Sequence, residues 1–398
     1  MKSVGVVVEY NPFHNGHKYH AASAKEKTEA DVVIAVMSGN FLQRGEPALF
    51  NKWIRTEAAL KNGVDIVLEL PVLYSNQSAE IFAYGAVSIL DSVGCSNIVF
   101  GSETKSINEL KEIVEIENNN ELKEKLDTIV KEELKKGLSY PNAYNNAILK
   151  LSGKNDVLTP NNILGIEYMR ALKKINSKME PELVKRKGAE FYSETVSENI
   201  ASATLIRKKI ESGNINEIIS LIPENSVDLL KKEYESSKMV KLDDFFDILK
   251  YVILSQPEKL KYIQDIESGF DIRLYKGALK SKNYNEFFES IITKRYTISR
   301  VQRMLTHIIL DIDVESSERI KRSKPPYSRI LGVNNVGREY LKYLKKRDPE
   351  IFLMTNTKCS EEKLSALGNF IYEYDKRATE IYKILSYYEE RKMPILVE

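Results

Sequence analysis

The stretch Val4-Gly-Val-Val-Val-Glu-Tyr-Asn-Pro-Phe-His-Asn-Gly-His17 decides the fold. Gly5 to Val8 is dense in β-branched residues and reads as a buried parallel strand, which the turn dipeptides Asn11-Pro12 and Asn15-Gly16 bring to a stop. From His17 onward helix formers follow with little Gly or Pro, so the turn delivers a helix N-terminus. Unpaired N–H groups and the positive end of the helix dipole favour an anion there, and a polyphosphate is the natural guest. His14 and His17 add donors for phosphate oxygens, while Gly16 lets backbone approach a ligand closely. The competing reading makes the two histidines mere turn caps. Their place on a strand-to-helix junction favours the phosphate.

Working outward, Asp31 to Met37, Asp65 to Leu70 and Asn97 to Phe100 repeat the apolar run, and helical patterns over Phe50 to Lys61 and Ser78 to Ser92 separate them. This alternation predicts an α/β fold with a doubly wound, Rossmann-like parallel sheet. Ligands of such sheets bind beyond the carboxyl ends of the strands, where His14, Gly39, Pro71 and Gly101 fall. Ile107 to Gly137 is Glu/Lys-rich and predicts a helical pair. Pro160 opens another helix, with Asn161 or Asn162 as its cap. Glu182 to Lys187 reads as a further strand, and Ser202 starts a further helix. Beyond about residue 215 helical patterns take over, which predicts two domains: 1–220 for a nucleotide and 221–398, mostly α-helical.

With 398 residues the chain exceeds what one compact core usually organises. A net charge of +2 announces no nucleic-acid partner, so any basic surface must be local. Cys95 and Cys359 lie far apart with no Cys-x-x-Cys, which argues against a disulfide scaffold or structural zinc. The chain opens directly on a strand and carries no apolar run of about 18 residues. A cytoplasmic location and no membrane partner are therefore expected, and nothing calls for an obligate protein partner.

Cations concentrate in Thr293-Lys-Arg-Tyr-Thr-Ile-Ser-Arg-Val-Gln-Arg-Met-Leu-Thr-His307. Arg300, Arg303 and His307 fall at helical spacing on one face, with Val301, Leu305 and Ile308 on the other. A solvated helix face is the ordinary reading of such a run. Lys294, Arg295 and the later Lys321, Lys324 and Arg329 favour a phosphate-tracking RNA surface. Glu9, Glu69 and Glu103 stand at strand ends as candidate oxygen ligands for Mg2+, with no basis for choosing among them. Arg44, in the polar loop after the second strand, is a candidate partner for a carboxylate, phosphate or RNA.

The segments 8–17, 37–48, 160–168 and 200–207, read as Val-Glu-Tyr-Asn-Pro-Phe-His-Asn-Gly-His, Met-Ser-Gly-Asn-Phe-Leu-Gln-Arg-Gly-Glu-Pro-Ala, Pro-Asn-Asn-Ile-Leu-Gly-Ile-Glu-Tyr and Ile-Ala-Ser-Ala-Thr-Leu-Ile-Arg, together resemble the tRNA(Met) cytidine acetate ligases. These form a family of the His-x-Gly-His nucleotidyltransferase superfamily. The resemblance spans essentially the whole chain. It implies an ATP-dependent ligase, with Mg2+, that makes acetyl-adenylate from acetate and acetylates N4 of the wobble cytidine of elongator tRNA(Met). It implies His14 and His17 as catalytic residues. It implies ATP contacts at Val7, Val8, Glu9, Tyr10, Asn11, Pro12, Phe13, His14, Asn15, Gly16, His17, Lys18, Tyr19 and His20, and at Gly101, Asn161 and Arg186, with Asn162 as the neighbour of Asn161. Ser202, Thr204 and Arg207 match phosphate contacts of related enzymes, while an ordinary capped helix stays open for them. Two rivals remain: an adenylyltransferase acting on a small metabolite, and a nucleotide-regulated RNA-binding protein without turnover.

Overall fold

A computed structural model describes residues 1–104, 106–138, 140–154, 158–185, 199–236 and 239–398. Its sheet comprises β1 (Ser3–Val8), β2 (Val32–Ser38), β3 (Ile66–Leu70), β4 (Asn97–Ser102), β5 (Glu180–Lys185), β6 (Ser328–Val333), β7 (Leu353–Met354) and β8 (Ile395–Leu396). The strand order is β5-β4-β1-β2-β3-β6-β7, with β8 paired to β6. From β5 to β3 all pairs are parallel, and β1 pairs with β2 in a register that sets Val4 beside Val33. The order reverses direction at β1 and β4, so the switch point lies at their carboxyl ends.

Between the first strands run α1 (Asn15–Thr28), α2 (Lys52–Leu60), α3 (Val72–Ser75) and α4 (Ala79–Ser92). The β4–β5 crossover carries α5 (Ile107–Asn118), α6 (Asn120–Lys135), α7 (Tyr140–Ser152) and α8 (Pro160–Lys174). Two helices, α9 (Ala203–Glu211) and α10 (Glu224–Ser236), follow β5. The predicted helical pair is thus α5 and α6, and the Ser202 start is α9. Alternation along β2 explains the layers: Ile34 and Val36 face the side packed by α4 and α8, while Val33, Ala35 and Met37 face α1 and α2. Each such large side chain contributes about 1.5–3 kcal/mol on burial.

The second half is mostly helical, as its periodicity predicts. Its helices are α11 (Phe246–Ser255), α12 (Phe270–Lys280), α13 (Tyr284–Ile291), α14 (Ile298–Leu310), α15 (Val314–Lys321), α16 (Asn335–Arg347), α17 (Thr357–Glu361) and α18 (Ala366–Lys383). Leu249, Phe287, Val301 and Ile371 from these helices share one apolar cluster with Ile34 and Leu68 of the sheet. Among the described residues no helix is long and apolar enough to cross a membrane.

The three short strands beyond residue 320 break the helical expectation, and β6 overturns one reading of the sequence. Arg329, expected on an RNA surface, is buried on β6, which runs antiparallel to β3 and sets Arg329 beside Glu69. Its guanidinium donates to Glu69 Oε2 at 2.8 Å and to Glu390 Oε1 at 2.7 Å. Lys52 Nζ lies 2.8 Å from Glu69 Oε1 and 3.0 Å from Glu390 Oε1, and Trp53 Nε1 donates to Glu390 Oε2 at 2.9 Å. Two cations and two anions thus close one neutral buried network. It also removes Glu69 from the candidate Mg2+ ligands.

This network makes stability acid-sensitive. Burial by itself would raise the Glu390 carboxyl, but Lys52 and Arg329, helped by the Trp53 N–H, hold it down to about 2. A lowered folded pKa contributes stability that is complete above the unfolded value near 4.5 and lost as pH falls from there toward 2. At about 1.4 kcal/mol per pKa unit the contribution is roughly 3 kcal/mol as an upper bound. Urea midpoints measured from pH 6 to pH 3 are expected to fall less steeply in Glu390→Gln than in the parent. Equal slopes would show that this carboxyl is not the titrating group.

Candidate active site

At the carboxyl end of β1 the chain turns through Tyr10, in the left-handed region at φ 50°, and a cis Asn11-Pro12 bond into α1. His14 is the N-cap of α1: its Nδ1 accepts from Gly16 N–H at 3.0 Å, and His17 Nδ1 accepts from His14 N–H at 3.3 Å. Gly16 is required by this fold-back, because a Cβ there would lie 2.9 Å from His14 Cε1. The two imidazoles stack with centroids 3.7 Å apart. With each Nδ1 accepting, a neutral ring carries its hydrogen on Nε2, so both histidines are donors at that atom. The first turn of α1 holds no acidic residue to neutralise its positive end.

The two histidines face a cavity of about 300 Å³. Val7, Val8, Glu9, Asn11, Gly16, Tyr19 and His20 line it with them, and Gly101 from the end of β4 lies opposite the turn. Tyr10 and Phe13 stand behind, with ring centroids 4.9 and 5.7 Å from that of His17, and fix that ring from the core side. Pro12 is buried and Lys18 exposed, and neither lines the cavity. Asn15 serves as a tie, donating to Asn199 O and Ser220 O at 3.0 and 2.9 Å.

A second helix start bounds the cavity. Ser202 caps α9, accepting from Leu205 N–H at 3.1 Å, and Ser202, Thr204 and Arg207 all line the space. Arg207 is held by Asn11 O at 3.1 Å and Thr204 Oγ1 at 3.3 Å. Two positive helix ends and one guanidinium therefore converge, which suits several phosphates together. On α8 the cap is Thr159, so neither asparagine caps it. Asn161 lines the cavity and donates to Glu103, whereas Asn162 is fully buried and accepts from Ser102 Oγ at 2.7 Å. Glu103 also accepts from Thr159 Oγ1 at 2.6 Å. Among the described residues no three His, Cys, Asp or Glu side chains gather into a cation site. Arg186 lies outside the described residues.

The loop after β2 closes the remaining side, with Gln43, Arg44 and Glu46 on the cavity. It is clamped from beneath by α14. Gly45 adopts φ +83°, and a Cβ there would sit 2.2 Å from Arg303 N. Thr306 Oγ1 donates to Gly45 O at 2.7 Å and Gln302 Nε2 to Glu46 Oε1 at 3.0 Å. The helix expected to meet RNA thus also holds a wall of the histidines' cavity.

That helix corrects the cationic face. His307 is fully buried between Asn76 O at 2.7 Å and Gln264 O at 3.2 Å, and burial lowers its pKa, so it is a packing residue and no surface contact. Arg303 has a side chain 12% exposed, turned to Asp265 at 3.6 Å. Lys294 and Arg295 are exposed and Arg300 is half-buried. Arg295 and Arg300 both pair with Glu267 and both lie over Tyr296.

Sequence reasoning missed Arg55. Fully buried on α2, it donates to the carbonyls of Glu9 at 2.6 Å, Ser38 at 3.1 Å and Phe50 at 3.0 Å, and also to Gly39. It thereby ties the ends of β1 and β2 together beneath the cavity. The available signal was its i, i+4 spacing with Ala59 on a face otherwise bound for the core.

A His-x-Gly-His turn, a facing Ser/Thr helix start and a Rossmann-like sheet are the parts of a nucleotidyltransferase site. The family described as HIGH Nucleotidyl Transferase matches residues 1–394. The tRNA(Met) cytidine acetate ligase of Fusobacterium nucleatum is 39% identical, the match covering 99% of this chain and 98% of that one. The chain belongs to the tRNA(Met) cytidine acetate ligase family. A second member, from Bacillus velezensis, is 44% identical over 87% of this chain and 85% of its own. Among solved members, the apo crystal structure of Thermotoga maritima TmcAL superposes with a TM-score of 0.91 at 35% identity, covering 100% of both chains. A crystal structure of the Thermotoga maritima ligase bound with alpha-thio ATP gives 0.89 at 34%, covering 100% of this chain and 99% of that one. That ligase therefore binds an ATP analogue on the same fold.

Proposed function

We propose that this chain is an ATP-dependent ligase that activates acetate as acetyl-adenylate and transfers the acetyl group to the N4 amine of a tRNA cytidine. The observation that carries the reading is the paired Nε2–H donors of His14 and His17 at one helix start, facing Ser202, Thr204 and Arg207 at another across one cavity. In the first step an acetate oxygen attacks the α-phosphorus of ATP and pyrophosphate leaves. Acetate is already an anion, so this step needs no proton removal. It needs stabilisation of charge on the transferred phosphorus and the departing pyrophosphate, which the histidine donors and helix ends supply. In the second step the cytidine amine attacks the acetyl carbonyl and AMP leaves, a step that rests heavily on positioning.

Mg2+ brought in with the nucleotide would neutralise part of the phosphate charge. Among the described residues no cluster of carboxylates forms a cage for it, and no step is routed through it. We further assign residues 1–220 to the nucleotide and 221–398 to the RNA, with Lys294, Arg295 and Arg300 on its contact surface. Names of the relatives point to tRNA(Met), and the resemblance to the wobble cytidine of its elongator form. A cytoplasmic location goes with that substrate.

Labelled acetate and ATP, incubated with and without tRNA, test the proposal. Label is expected in RNA only when ATP is present; formation of a small adenylylated metabolite instead would favour a plain adenylyltransferase. Arg300→Ala is expected to weaken tRNA binding several-fold, more at low salt than at high, while acetate-dependent pyrophosphate exchange stays within about twofold. A parallel loss of exchange would place Arg300 in the nucleotide half of the reaction.

A further inference from the structure

Proton removal is needed in the second step, and His14 and His17 are unsuited to it. Each has Nδ1 occupied by a backbone N–H, so in the neutral ring the remaining nitrogen carries a hydrogen and offers no lone pair. Of the other cavity groups, Lys185, Arg44 and Arg207 are cations, and burial pushes the Tyr168 hydroxyl far up, away from use as a base. Glu46 accepts from Gln302 Nε2 and is thereby tied to α14, whereas Glu9 follows β1 directly into the histidine turn. Glu9 is left.

We propose that Glu9 is the general base of acetyl transfer: its carboxylate takes the proton that the cytidine N4 amine loses as nitrogen bonds to the acetyl carbon and the carbon–oxygen bond to AMP breaks. The proton ends on Glu9, the electron pair of the broken bond on the AMP phosphate, and solvent later recovers the proton. This assignment rests on the ligase reading above.

The geometry is that of an aimed side chain. Glu9 is the first residue past β1, five positions before His14, and lines the same cavity. Its backbone carbonyl is fixed by Arg55 at 2.6 Å, and its Oε1 accepts from Gln43 N–H at 2.8 Å. Among the described residues that is the only hydrogen bond its side chain makes, which leaves Oε2 for the cavity. The charged and titratable groups facing it are Arg44 and Glu46 from the loop after β2, Arg55 from α2, Tyr168 from α8 and Arg207 from α9. Burial raises its pKa above the usual carboxylate value, with Gln43, Arg44 and Arg207 opposing and Glu46 adding to the rise. A carboxylate made more basic by its surroundings is a better acceptor for an amine proton.

Two assays on the full chain separate the steps. Acetate, ATP and hydroxylamine trap acetyl-adenylate as acetohydroxamate and report activation, while single-turnover acetylation of tRNA from preformed acetyl-adenylate reports transfer. Glu9→Gln keeps an oxygen for Gln43 N–H. It is expected to slow transfer at least about 100-fold, since general bases contribute about 10²–10⁴, while trapping falls less than about fivefold. Transfer by the parent should lose rate on the acid side with an apparent pKa above 4.5, and this acid limb should vanish in Glu9→Gln. Equal losses in both assays, or an acid limb that persists in the variant, would overturn the assignment. Should Glu9→Gln fail to fold, the parent profile and Glu9→Asp decide: no acid limb in the parent, or undiminished transfer in Glu9→Asp, overturns it. A parent that forms no hydroxamate overturns the ligase reading itself.

Discussion

Replacing His17 with alanine is expected to lower acetate-dependent exchange of pyrophosphate into ATP by about 100- to 1000-fold, the usual cost of removing one donor aimed at transition-state charge. The loss should fall on kcat more than on KM for ATP, because the second helix start and Arg207 still hold the phosphates. His17 has a second task. Its Nδ1 accepts from His14 N–H, so alanine also removes half of the reciprocal cap on α1, a change worth about 1 kcal/mol of stability. His17→Asn separates the two, since an amide can accept the same N–H but cannot place a donor where Nε2 stands. Stability should return in that variant while exchange stays low. Exchange within about fivefold of the parent in His17→Ala would remove the histidine pair from the chemistry.

Arg329→Met should give the largest loss of stability, about 3–5 kcal/mol in urea unfolding at neutral pH. The variant leaves Glu69 and Glu390 sharing Lys52 alone, and a buried charge without its partner costs that much. Adding Glu69→Leu should recover a good part of it, because Lys52 and Glu390 then remain as a balanced pair beside an apolar contact. A loss under about 1 kcal/mol in Arg329→Met, or a double variant worse than the sum of its parts, would show that the network is not a closed set of four charges. Activity should follow folded fraction in these variants, since none of the four groups lines the cavity.

The nucleotide half was legible because its signals are local. A run such as Val32–Ser38, buried at every position, can only be a central parallel strand, and the polar turns after β1, β2 and β4 mark the carboxyl edge where a ligand sits. His14, Gly16 and His17 were legible for the same reason: cap, fold-back and donor are all written within four residues. The choice between Asn161 and Asn162 was not. They are neighbours on one helix turn, and only the packing of α8 against the end of β4 sends Asn162 inward to Ser102 and Asn161 to the cavity.

The βα alternation, the strand-to-helix histidine turn and the helical character of the second half are all written in the residue order, because periodicity and turn chemistry act over a few residues. Tertiary structure alone decided which cations are surface and which are core. Arg329 meets Glu69 across 260 positions and His307 meets Asn76 across 231, and a charge or imidazole whose partner is that distant leaves no periodic mark on its own segment. It likewise decided that Arg55 binds strand ends, that α14 grips the Gly45 turn and that Glu9 faces the histidines' cavity. Each of these follows from where the chain returns in space, since a polar group taken out of water must find its partner wherever the fold brings one.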